Sequence, residues 1–120
     1  MGDAEAGDFS VSGEVVSGPA GDEGFRRLIL HYALLAEAAG GVDGFLIGSE
    51  MRGLTWLRDE AGGFPFVSAL CDLAVDVRTV LRPATKITYA ADWSEYFGFQ
   101  PADGSGEVRY HLDPLWASPA

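Results

Sequence analysis

Apolar residues recur along this chain with two different patterns. From Asp22 onward, Phe25, Leu28, Ile29, Tyr32, Leu35, Ala36 and Ala39 fall at the spacing of one helical face. Asp22 is placed to cap that helix, and Gly40-Gly41 supplies its stop, because glycine enters a left-handed C-terminal cap freely. The next stretch is continuous rather than periodic. Val42-Asp43-Gly44-Phe45-Leu46-Ile47 ends abruptly in Gly48-Ser49-Glu50. An unbroken apolar run suits a parallel strand covered by helices on both faces, and the strand is predicted from about Asp43 to Ile47. A polar loop carrying Arg52, Trp56, Arg58, Asp59 and Glu60 extends through Gly63. Pro65 fits a first helical turn, Val67, Leu70, Cys71, Ala74, Val77 and Leu81 form a second helical stripe, and Pro83 ends it. Lys86-Ile87-Thr88-Tyr89-Ala90-Ala91 is rich in β-formers and reads as a second strand. It runs into Asp92-Trp93-Ser94-Glu95-Tyr96. Residues 100–106 form a loop, and Asp113-Pro114 opens a last short helix through Trp116.

Helices alternating with strands predict an α/β fold in which two parallel strands are joined by the Pro65–Leu81 helix. Two strands make a poor sheet, with both edges open and little core covered. The simplest reading is a fragment of a (β/α)8 TIM barrel, a fold that needs roughly 250 residues when complete. Residues 1–21, rich in Gly, Ser, Ala, Asp and Glu, read as a flexible lead-in with one short extended piece. Residues 22–120 are then the partial barrel domain.

Composition narrows the function classes. With 120 residues and 48% hydrophobic content, the chain fits one ordinary domain. A net charge of −10 argues against nucleic acid as a partner, since phosphate binding needs clustered cations. Only Arg26-Arg27 are adjacent, and both are expected on the exposed side of a helix. No run approaches the roughly 18 apolar residues of a membrane span, and no signal-peptide pattern opens the chain. The single cysteine, Cys71, excludes an intrachain disulfide and a cysteine-cluster zinc site, and its place on an apolar stripe predicts an inert, buried thiol. His31 has no second ligand at the next helical turn, and His111 with Asp113 reads as a solvated loop pair. No metal or cofactor is expected.

Both strands end in carboxylates, and the C-terminal edge of a parallel sheet is where α/β folds place their chemistry. Glu50 lies just past the first strand; Asp92 and Glu95 lie just past the second. Trp56, Trp93, Tyr96 and Trp116 lie near them in sequence. Carboxylates among aromatics suit sugar cleavage, in which one carboxyl protonates the leaving oxygen and another stabilises or attacks the anomeric carbon. Aromatic faces also pack against the apolar faces of pyranose rings. Glu50 is thus the candidate catalytic residue, as acid, base or nucleophile; service as the acid requires partial burial among aromatics. Arg52, Asp92, Trp93, Glu95 and Tyr96 are the candidate sugar-binding residues. The plainer alternatives are a turn carboxylate or Arg52 partner at Glu50, aromatics that close a core, and a helix cap at Asp92. No Gly-x-Ser-x-Gly elbow or glycine-rich phosphate loop is present.

Three blocks carry a family resemblance: Phe45 through Thr55, Ile87 through Tyr96, and His111 through Trp116. In this order they resemble the TIM-barrel-like domain of gene transfer agent and phage tail proteins, over roughly residues 18–120. That domain lies inside a large baseplate or tail-hub protein and is similar to glycoside hydrolases. The resemblance implies a middle portion of a barrel, with Glu50 at the position of the acid/base glutamate. Ser49 stands where those enzymes usually carry the Asn that binds the sugar 2-hydroxyl. Their nucleophile comes from a later strand, so residues up to Ala120 are not expected to catalyse hydrolysis alone. The implied function is cutting or gripping a host cell-surface glycan, with other tail and baseplate proteins as partners; the alternative is a non-catalytic structural module of the baseplate. The implied location is the tail or baseplate of a phage-like particle assembled in the cytoplasm. Strand edges and helix faces left open by a partial barrel imply self-association.

Overall fold

The structure, a computed structural model, describes residues 2–13, 15–19 and 21–120. Its centre is a two-stranded parallel sheet, β3 (Gly44–Ser49) beside β4 (Lys86–Ala90), connected through α3 (Pro65–Val80). Before it come a short antiparallel hairpin, β1 (Ser10–Ser12) with β2 (Val15–Ser17), and helix α1 (Phe25–Ala38). Three single-turn helices complete the chain: α2 (Arg52–Thr55), α4 (Trp93–Tyr96) and α5 (Asp113–Trp116). The strand–helix–strand order, the parallel pairing and Pro65 in the first turn of α3 agree with the sequence expectation. A two-stranded sheet is not a closed barrel.

Helix α3 carries the core. Val67, Leu70, Leu73, Ala74 and Val77 are all buried, and they meet Leu30 and Ala33 of α1, Ile47 of β3, Tyr89 of β4, and Leu112 and Leu115 around α5. Each large apolar side chain among them contributes about 1.5–3 kcal/mol through removal of apolar surface from water. Phe45, Ile47, Ile87 and Tyr89 alternate along the strands and join this cluster. Leu46, on the opposite face of β3, is 53% exposed. The continuous apolar run of β3 predicts cover on both faces, yet among the described residues only one face is packed. A barrel interior would lie against the other.

Several local expectations are corrected. Helix α1 begins after Gly24 without a side-chain cap, and the Asp22 carboxylate instead accepts from the backbone N–H groups of Gly24 (2.7 Å), Ala4 (2.9 Å) and Asp3 (3.1 Å). These bonds, that from Gly24 foremost, hold its carboxyl below the ordinary aspartate range. Arg26 and Arg27 are not on a free surface. Arg26 pairs with Asp76 of α3 and donates through Nε to the Ala4 carbonyl (2.6 Å), while Arg27 donates to the Pro19 carbonyl (2.7 Å). Much of the segment expected as a lead-in thus has structure: a 3-10 turn at Ala6–Asp8, the hairpin, and a buried Ala4. Met1, Glu14 and Ala20 lie outside the described residues. His111 is fully buried rather than solvated, with Nδ1 3.1 Å from the Arg109 carbonyl oxygen and its ring against Phe64. Cys71 is half-buried, and desolvation pushes its thiol up. Gly40 and Gly41 end α1 as expected, both at positive φ, with the Gly41 N–H bonded to the Ala36 carbonyl (2.9 Å).

Candidate functional site at the strand ends

The parallel pairing brings the ends of β3 and β4 to one edge of the sheet. The register is regular from Gly44–Lys86 to Leu46–Thr88 and then slips, so that Ser49 faces Ala90. The extra residue in β3 is a bulge, which turns the strand and re-aims the residues beyond it. Gly48 lies inside it, where a Cβ would stand 3.2 Å from the Tyr89 ring. The Glu50 N–H still bonds to the Ala90 carbonyl (2.8 Å), but its φ is +49°, which no other non-glycine among the described residues shares in sign. A left-handed conformation costs an L-residue about 1–2 kcal/mol. Backbone strain of this kind persists where surrounding contacts over-determine it.

Those contacts converge on Glu95. It is 2% exposed, and its carboxylate accepts from Thr55 Oγ1 (2.6 Å), the Tyr89 hydroxyl (3.0 Å) and the Asp92 N–H (2.9 Å). The Tyr89 hydroxyl in turn accepts from the Met51 N–H at 2.7 Å. One buried carboxylate therefore ties together the loop after β3, helix α2, strand β4 and the turn into α4. Burial, ahead of the opposing Met51 hydrogen bond and the nearby Glu95 charge, drives the Tyr89 phenol well above its ordinary value. The expectation of Glu95 as a surface sugar contact is replaced by this internal role. Nothing but its position in a Ser/Thr/Asp-x-x-Glu capping pattern marks that role in the sequence.

Asp92 caps α4. Its carboxylate accepts from the Ser94 N–H (2.9 Å) and hydroxyl, and Glu95 closes the reciprocal half of the capping box. The Ser94 hydrogen bonds, and more weakly Arg52, hold the Asp92 carboxyl below the ordinary range. Arg52 reaches Asp92, not Glu50, at a long 3.7 Å. Glu50 is exposed, and its carboxylate makes no hydrogen bond or ion pair among the described residues. The partial burial among aromatics that its catalytic role requires is absent from these residues.

Beside this edge lies a cleft of about 480 Å³ lined by Arg52, Trp56, Trp93, Ser94, Phe97, Gly98, Phe99 and Gln100. Trp93 and Phe97 stand 72% and 70% exposed. The back wall is built: Trp56 and Phe99 stack with ring centroids 4.0 Å apart, and the Arg109 guanidinium sits 5.6 Å from the Phe99 ring. An antiparallel bridge pairs Phe99 with Arg109, whose guanidinium also donates to the Trp56 carbonyl (3.3 Å). Of the expected sugar-binding residues, the cleft gathers Arg52 and Trp93. Tyr96 is exposed outside it, packed edge-on against Phe97 and Trp116. Phe97, Phe99 and Gln100 escape the sequence reading, because their loop has no periodic pattern. Among the described residues, no group of three potential metal ligands occurs, and no helix is long and apolar enough to cross a membrane.

Residues 23–120 match the family model of the GTA TIM-barrel-like domain. The chain belongs to that family. No curated protein matches it. In this GTA TIM-barrel-like domain, then, the sheet at the centre is the parallel β3–β4 pair. Among the described residues, its C-terminal edge carries an unengaged carboxylate, Glu50, and an aromatic cleft, while Asp92 and Glu95 are both engaged in holding that edge together.

Proposed function

We propose that this domain is the glycan-handling part of a tail or baseplate protein of a phage-like particle, with Glu50 as the general acid toward a host cell-surface glycan. The observation that carries the reading is the pairing of an unengaged, conformationally strained carboxylate at a strand end with a cleft walled by aromatic rings. Glu50 lies two positions before Arg52, which lines that cleft. Hydrolysis takes two carboxyls. Asp92 is held by Ser94 and Glu95 is buried, so the second carboxyl comes from residues other than these two. Full-length protein is the material for the test. Glu50→Gln abolishes glycan cleavage while the fold persists, because the amide keeps the shape but gives up no proton. Cleavage at the parental rate refutes the role.

A second reading, a structural baseplate module without turnover, is favoured by the exposure of Glu50, which leaves it without the low-polarity surroundings of a general acid. On either reading other tail proteins are the partners and the particle tail is the location, reached after assembly in the cytoplasm. The open edges of the two-stranded β3–β4 sheet support association with further strands, and the exposed Leu46 face supports packing against a second copy, either visible by light scattering.

A further inference from the structure

The aromatic cleft also speaks to the kind of sugar, an inference that rests on the glycan reading above. Trp56, Trp93, Phe97 and Phe99 supply flat apolar plates, and Ser94 and Gln100 supply neutral polar groups. Among the described residues, Arg52 is the only charged one in the lining. A lone cation is an unusual lining in a chain of net charge −10, where carboxylates outnumber cations by 18 to 8. Arg52 is also available. Its side chain is 55% exposed, and its approach to Asp92 at 3.7 Å is too long for a hydrogen bond. Asp92 itself is occupied by Ser94. A guanidinium with free donors beside stacking rings matches a planar carboxylate carried on a pyranose.

We infer that the cleft binds an acidic sugar, one whose ring stacks on the exposed Trp93 or Phe97 face while its carboxylate is held by Arg52. A neutral sugar stacks on the same rings but leaves the guanidinium with only its long 3.7 Å approach to Asp92. A charge-assisted hydrogen bond separates the two by about tenfold or more in affinity.

The probes are acidic oligosaccharides, each compared with its own methyl ester: trigalacturonic acid, a hyaluronan tetrasaccharide and a muramic-acid-containing disaccharide. Binding to the full chain is read by tryptophan fluorescence and by NMR shifts of the indole N–H groups. The expected result is that at least one acid binds about tenfold tighter than its ester, with the preference shrinking as salt screens it. Arg52→Gln removes the preference but retains weak binding of the ester, which shows that the fold is kept; Arg52→Lys retains part of it. Trp93→Ala with Phe97→Ala removes both. Equal binding of acid and ester overturns the acidic-sugar inference and leaves the glycan reading standing. Absence of binding by every acid and ester overturns both.

Discussion

Removing the Glu95 carboxylate should damage this domain more than any other change at the strand ends. Glu95 is 2% exposed and accepts three hydrogen bonds, at 2.6 Å from Thr55, 3.0 Å from Tyr89 and 2.9 Å from the Asp92 N–H. Glu95→Ala leaves those donors without a partner in a space that the alanine cannot fill. Each stranded buried donor costs about 1–3 kcal/mol, but the hydroxyls can turn and water can enter. The sum therefore settles at about 3–5 kcal/mol, the range for breaking a buried polar network. Glu95→Gln keeps the volume. Its oxygen can face the Asp92 N–H, while its amide donates to hydroxyls that rotate to accept, so about 1–2 kcal/mol is lost. Urea titration monitored by tryptophan fluorescence measures both. A double-mutant cycle with Tyr89→Phe should return a coupling of about 0.5–3 kcal/mol, because the two groups share a hydrogen bond. A Glu95→Ala cost below about 1 kcal/mol, or strict additivity with Tyr89→Phe, would falsify the claim that this carboxylate holds the site together.

The same geometry makes three further outcomes testable. Tyr89 keeps its proton in the folded state to higher pH than in the unfolded chain, so the stability it contributes is full below about pH 10 and declines above it; urea midpoints taken between about pH 8 and 11 should show the decline, and Tyr89→Phe should flatten it. Gly48→Ala places a methyl group 3.2 Å from the Tyr89 ring, and the ring is buried; a loss of about 1 kcal/mol is expected, and an unchanged midpoint would show that the ring moves freely. Glu50→Gly relieves a left-handed residue, so despite the entropy of glycine it should stabilise by about 0.5–1 kcal/mol; a lower midpoint would mean that the Glu50 side chain itself supports the fold.

The parallel pair and its connecting helix are legible in the sequence because they are driven by burial, and burial writes itself as period. The α3 stripe places Val67, Leu70, Ala74 and Val77 in the core, as their spacing predicts. The cap at Asp92 is readable as an alternative, and it is what the chain adopts. The roles of the polar residues are less legible. Thr55 and Tyr89 meet Glu95 across 40 and 6 positions of sequence, and no local pattern marks a hydrogen bond between residues brought together by tertiary packing. His111 misleads for the same reason: a histidine in a polar stretch looks solvated until Phe64 is found against it. The paired arginines of α1 look like a surface feature because their acceptors, the Ala4 and Pro19 carbonyls, sit in a segment without hydrophobic pattern.

The division of labour among the acidic residues rests on these placements. Three carboxylates at one sheet edge first suggest an acid, Glu50, and two sugar ligands, Asp92 and Glu95. Two of them are engaged in structure: Asp92 stops the strand and starts α4, and Glu95 cross-links four segments. Their work leaves Glu50 in a conformation that its own backbone disfavours, at the end of a bulged strand, with its carboxylate unengaged. A residue kept for the fold would be a glycine at that φ. A glutamate there is consistent with a carboxylate needed for what it meets outside these residues. That requirement separates the two functional readings: a structural module tolerates Glu50→Gly and gains stability from it, whereas a glycan hydrolase gains the same stability and loses turnover.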